Sequence, residues 1–123
     1  MSAHKNQSFP ARLKFALLGL AHALRTERSF RVQLAAFAAA LTALLLLRPG
    51  ALWWALVLLA SAAVLAAELF NTAIEQLADE LHPQHSPGIR MAKDCAAAGV
   101  LIAALGALGV AVAFAVHLAL RRN

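Results

Sequence analysis

A soluble domain is near half apolar. This chain of 123 residues is 62% hydrophobic and only 14% charged, which points to one membrane-embedded domain. Its net charge of +5 is spread along the sequence, with no tyrosine and no zinc-ligand or recognition-helix pattern, so nucleic-acid binding is excluded as the role of that charge. Cys95 is the single cysteine and no intrachain disulfide can form; placed among alanines, it reads as a packed, inert thiol.

The first element spans Ala11 to Arg25. Leu13, Leu17, Leu20 and Leu24 recur at helical spacing, with Arg12, Lys14, His22 and Arg25 between them. This is an amphipathic, partly basic helix, suited to a headgroup region or to packing on the chain's own bundle. Its apolar residues form no unbroken core, so a cleavable signal peptide is not expected.

Val32 to Leu47 is the first candidate span, about 24 Å long at 1.5 Å per residue. Arg48-Pro49-Gly50 marks a turn. Ala51 to Phe70 is the second span, with Trp53 and Trp54 at its start as an interfacial belt. His82 to Gly88, HPQHSPG, reads as a polar loop. Cys95 to Leu120 is the third span, and Gly99, Ala103, Ala107, Ala111 and Ala115 give it a stripe of small residues that permits close helix approach.

The basic residues set the orientation. Lys5, Arg12, Lys14, Arg25, Arg28, Arg31, Arg90 and Lys93 lie to one side of the spans, against Arg48, Arg121 and Arg122 on the other. The excess places the N terminus and the HPQHSPG loop in the cytoplasm.

The second span runs directly into AELFNTAIEQLADE, residues 67–80. At 100° per residue, Asn71, Glu75 and Asp79 fall within about 60° of Glu68, so all four share a face that extends roughly 16 Å. Glu27 precedes the first span and Asp94 the third, so acids gather at one end of all three. For Asp79 and Glu80 a solvated helix end accounts for the charge. Glu68 and Asn71 still belong to the apolar run, where a polar group is costly and marks a functional path. Carboxylates with an asparagine are hard oxygen ligands that suit Mg²⁺. His4, His22, His82, His85 and His117 have no zinc spacing. Phosphate-binding glycine loops and a nucleophile elbow are absent as well. Two functions fit this pattern: a Mg²⁺-dependent enzyme acting on a lipid, or a non-enzymatic ion-path or assembly subunit.

The residues also carry a resemblance. Glu68-x-x-Asn71-x-x-x-Glu75 within ELFNTAIE, Ala92-Lys93-Asp94 ahead of an alanine-rich span, and Glu27 to Arg31 (ERSFR) together resemble the prokaryotic diacylglycerol kinase family, small trimeric membrane kinases that include undecaprenol kinases. The likeness runs from about Arg12 to Leu120. It implies an all-α membrane fold, an amphipathic N-terminal helix plus three transmembrane helices in a homotrimeric bundle with shared active sites, in the bacterial inner membrane. It implies transfer of the γ-phosphoryl of MgATP to the hydroxyl of diacylglycerol, with undecaprenol as the alternative acceptor. On this resemblance Glu68 is the general base, with Asn71 and Lys93 also catalytic. Glu27 and Glu75 hold Mg²⁺. Glu27, Glu75, Gln84, Ser86, Lys93 and Asp94 contact ATP, and Glu68, Arg31, Trp53 and Ala97 contact the lipid. Gln84 and Ser86 stand where the family often has an acid and a histidine; Phe15 replaces a frequent tyrosine and Gln33 a frequent acid.

Overall fold

A computed structural model of the chain describes residues 7–81 and 86–122, and the elements among them are four helices: α1 (Phe9–Thr26), α2 (Arg28–Leu47), α3 (Ala51–Leu81) and α4 (Pro87–Arg121). The last three are long and apolar enough to cross a membrane. Lys5, His4, His82, Gln84 and His85 lie outside the described residues.

The breaks between helices follow local chemistry. Ser8 is extended ahead of α1, and Pro10 presets the first turn. Glu27 alone separates α1 from α2, with extended backbone at φ −100° and ψ 112°, and its N–H donates to the Ala23 carbonyl at 2.8 Å. The carbonyls at the end of α1 are orphans of helix geometry. Arg31 reaches back and donates from Nη1 to Leu24 O and Arg25 O, both at 3.2 Å. Arg48 ends α2 in the left-handed region, φ 46° and ψ 56°, a conformation that costs a β-carbon residue roughly 1–2 kcal/mol. Pro49 follows and cannot continue the helix.

The sequence places a polar loop through Gly88, yet α4 begins at Pro87. Ser86 is its N-cap: the Ser86 hydroxyl accepts from the Ile89 N–H at 3.3 Å, and Pro87 fits the first helical position.

With 31 residues, α3 is about 46 Å long, against about 30 Å of bilayer hydrocarbon. Counted from Ala51, its final third, from near Asn71 onward, therefore projects beyond an apolar slab. It is also the central element. Its buried stripe runs Val57, Val64, Glu68 and Thr72, at steps of seven, four and four. Glu68 is thus buried because it continues the apolar stripe of the core, which Phe30 and Leu44 of α2 complete.

The α3–α4 pair is an antiparallel hairpin. Near its turn Lys93 meets Asp79. At the opposite end the Trp53 ring packs against Phe114 and His117, with centroids 5.1 Å away in each case. No described residue of α4 is buried, so the helix shows most of its apolar surface outward. Two sequence expectations change as a result. A β-carbon on Gly99 would meet nothing within 4 Å, so the small-residue stripe makes no close approach there within one chain. Cys95 is exposed, because it lies on the outer side of a helix that packs along one face only.

Leu13, Leu17, Leu20 and Leu24 of α1 are exposed too, Leu17 by 55%. The leucine face is thus turned outward, while the helix packs on the chain's own bundle through Ala23, which is buried, and His22. Between α2, α3 and α4 runs a groove of about 310 Å³, apolar apart from Gln33 and Ser61.

Candidate active site

The acidic face foreseen on α3 forms, and its members differ in depth. Glu68 is 4% exposed, Asn71 and Glu75 are half-buried, and Asp79 is exposed. Among these four side chains exposure rises from Glu68 to Asp79, while Thr72 and Ala78 on the adjoining side of the helix stay buried. The face is therefore graded from a dry end to a wet one.

At the dry end, Ser29 in the first turn of α2 donates from Oγ to Glu68 Oε2 at 2.9 Å. It is the one hydrogen bond to the Glu68 carboxylate among the described residues. A buried carboxylate without a donor bears its full desolvation cost, so this bond matters energetically. Ser29 sits correctly because Glu27 turns the chain and Phe30, 3% exposed, anchors the first turn of α2 in the core.

One turn outward, Asn71 donates from Nδ2 to Glu75 Oε1 at 3.1 Å, the i to i+4 geometry of a helix face. Asn71 Oδ1 is buried and lacks a partner among the described residues. Amide and carboxylate oxygens are both hard donors of the kind that suits Mg²⁺. The next residue outward on α3, Gln76, meets His22 of α1 through Nε2, which ties the surface helix to the site.

At the wet end, Lys93 Nζ donates to Asp79 Oδ1 at 2.6 Å. Lys93 precedes the apolar run that starts at Cys95. Its hydrogen bond to Asp79 raises the ammonium above its ordinary value; desolvation opposes this, and the negative charges of Asp79 and Glu75 reinforce it. Lys93 therefore keeps its charge at neutral pH, within reach of the Glu75 field.

The remaining candidates divide. Glu27 is half-buried between α1 and α2. Its carboxylate caps no helix and, among the described residues, accepts from Thr26 Oγ1 alone, at 3.3 Å. Asp94 is exposed, and Ala97 is exposed one turn after Lys93. The Ser86 hydroxyl is engaged as the cap of α4. Arg31 is engaged by the carbonyls of α1. Trp53 stands fifteen residues from Glu68 on the same helix, about 22 Å along the axis, and is not brought to the acidic face. Gln84 lies outside the described residues.

Among the described residues, no group of three or more histidine, cysteine, aspartate or glutamate side chains is placed to hold a metal ion. A self-contained metal cage in one chain is therefore absent from this region. Mg²⁺ does not need one: it keeps several waters and is held by one or two carboxylates together with substrate phosphates. Glu27, Glu75 and the Asn71 oxygen are donors of the right kind.

Residues 14–115 match the family described as prokaryotic diacylglycerol kinase, from the second turn of α1 almost to the end of α4. The chain belongs to that family. It is 36% identical over 96 residues to a protein named diacylglycerol kinase from Synechocystis sp., a match covering 77% of this chain and 55% of the relative. It is 34% identical over 87 residues to a protein named undecaprenol kinase from Bacillus subtilis, covering 71% of each. The chain thus spans little more than half the length of the cyanobacterial relative. The family match takes in the whole graded face and its three cross-helix contacts, Ser29 with Glu68, His22 with Gln76 and Asp79 with Lys93.

Three features of this kinase-family face were not legible in the motifs: the Ser29–Glu68 bond, the His22–Gln76 contact and the pairing of Asp79 with Lys93. The last had one signal, since Asp79 lies on the face of Glu75 and an opposite charge precedes the next apolar run.

Proposed function

We propose that the chain is an ATP-dependent lipid kinase of the inner membrane that transfers the γ-phosphoryl of ATP to the hydroxyl of diacylglycerol, giving phosphatidic acid. One observation carries this reading: a carboxylate buried to 4% exposure lies where the apolar run of α3 ends, on the same face as a progressively wetter row ending in a cation. A lipid hydroxyl arrives from the bilayer side of that row and a nucleotide from the water side.

The Glu68 carboxylate takes the proton of the lipid hydroxyl as the oxygen attacks the γ-phosphorus in line and ADP leaves. Glu27 and Glu75, with the free oxygen of Asn71, would hold Mg²⁺, which neutralises charge on the phosphates when bound. Lys93 adds a fixed positive charge, steadied by Asp79. The B. subtilis relative supports undecaprenol as the alternative acceptor, since it differs little in identity from the relative named for diacylglycerol.

The apolar faces left open on α1 and α4 support a homotrimer in which neighbouring copies complete each site. The eight basic residues on the acidic side, against three on the other, support a cytoplasmic N terminus and active site. An ion path needs acids along the spans, whereas these gather at one end.

The test is a phosphotransfer assay of the purified chain with labelled ATP, offering diacylglycerol and undecaprenol side by side. Label in diacylglycerol supports the proposal, and label only in undecaprenol selects the alternative. No transfer to either overturns the kinase reading.

A further inference from the structure

Glu68 sits on a helix, but the group that fixes its carboxylate comes from another. Ser29 reaches across from the first turn of α2, thirty-nine positions earlier, and donates to Oε2 at 2.9 Å. Oε1 makes no hydrogen bond among the described residues, and it is not among the buried oxygens without partners, which are those of Gln7 and Asn71. One oxygen is therefore occupied and the other is left to the site.

We infer that Ser29 is a positioning residue for the reaction: its hydroxyl locks the rotation of the Glu68 carboxylate so that Oε1 faces the lipid hydroxyl. This rests on the reading of Glu68 as the base. A hydroxyl donating to a carboxylate makes a charge-assisted bond. A free carboxylate would turn about its terminal torsion, which is broad and soft. Proton transfer demands the correct oxygen at hydrogen-bond distance, and a small misplacement is costly in rate. Ser29 keeps its own proton throughout and touches neither substrate.

The location of Ser29 separates positioning from support of the fold. Ser29 is exposed although its hydroxyl meets a buried group, so trimming it to alanine opens no cavity in the core. It also lies two residues after Glu27, on the turn that presents the proposed metal-binding carboxylate. A defect confined to carboxylate orientation would lower kcat and spare the KM for MgATP. Loosening of the whole turn would raise that KM.

The experiment uses the full chain in lipid nanodiscs, with dioleoylglycerol and, separately, undecaprenol as acceptors. Ser29→Ala should lower kcat about tenfold with the KM for MgATP unchanged, as expected for the loss of one charge-assisted bond. Ser29→Thr keeps the hydroxyl and should restore most of the turnover. Retained turnover in Ser29→Ala overturns the inference. So does a Ser29→Thr variant as slow as Ser29→Ala, or a raised KM for MgATP at unchanged kcat. Melting temperatures of the three proteins are compared alongside; if Ser29→Ala melts early, a Ser29→Thr variant with normal melting and full loss of turnover overturns the inference by itself. Glu68→Gln separates the two levels. An inactive Glu68→Gln with a fully active Ser29→Ala sinks the role of Ser29 alone. An active Glu68→Gln, or a wild type that labels neither lipid, sinks the reading beneath it as well.

Discussion

Lys93 and Asp79 meet at 2.6 Å across the α3–α4 hairpin, joining the wet end of the acidic face to the helix that follows it. Asp79 is 68% exposed and Lys93 29%, so the contact adds little to stability. Its consequence is positional: without Asp79 the long lysine side chain samples many rotamers.

Asp79→Asn is therefore expected to raise the KM for MgATP several-fold while leaving the melting temperature nearly unchanged. Lys93→Ala should cost about a hundredfold to a thousandfold in kcat/KM, the scale of removing one preorganised group that stabilises charge in the transition state. The two changes should not add, because Asp79 acts through Lys93. Steady-state kinetics of both variants and of the double variant check this. Additive losses would assign Asp79 a separate role.

The carboxylates proposed for Mg²⁺ make a different prediction. Glu27→Ala and Glu75→Ala should each move the Mg²⁺ concentration for half-maximal activity upward by about tenfold or more, since each removes one of very few protein ligands. Titrating activity with Mg²⁺ at fixed ATP measures it. An unchanged Mg²⁺ requirement in both variants refutes the assignment.

Shared active sites predict complementation between defective chains. Glu27→Ala and Glu68→Gln proteins, each impaired when assayed alone at limiting Mg²⁺, should regain part of the wild-type activity when unfolded, mixed and reconstituted together. Random mixing places an intact set of residues at some sites only. Mixtures as impaired as the parents would mean that each chain builds its site from its own residues.

Much of this arrangement is readable in the chain, for identifiable reasons. The three long helices follow from apolar runs bounded by Arg48-Pro49-Gly50 and by the prolines around residue 85. The common face of Glu68, Asn71, Glu75 and Asp79 follows from the fixed rotation of a helix. Contacts between helices distant in sequence do not follow from any local rule. Ser29 finds Glu68, and His22 finds Gln76, only because α2 and α1 lean on α3 at particular points. The start of α4 was written in Ser86-Pro87, a cap followed by a helix-compatible proline, but the polar composition of HPQHSPG obscured it. The exposure of Cys95 was unreadable for a further reason: in so alanine-rich a helix several faces are equally able to pack.

The central claim is that the buried carboxylate of Glu68 accepts the proton of a lipid hydroxyl. Glu68→Gln keeps the size and the hydrogen bond from Ser29 and removes only the basicity, so its helical circular dichroism and melting in detergent should match the wild type. The measurement is the turnover of that variant with saturating MgATP and diacylglycerol. The expected loss is about 10²–10⁴-fold, the usual contribution of a general base. Turnover equal to the wild type, in a protein folded equally well, would contradict it.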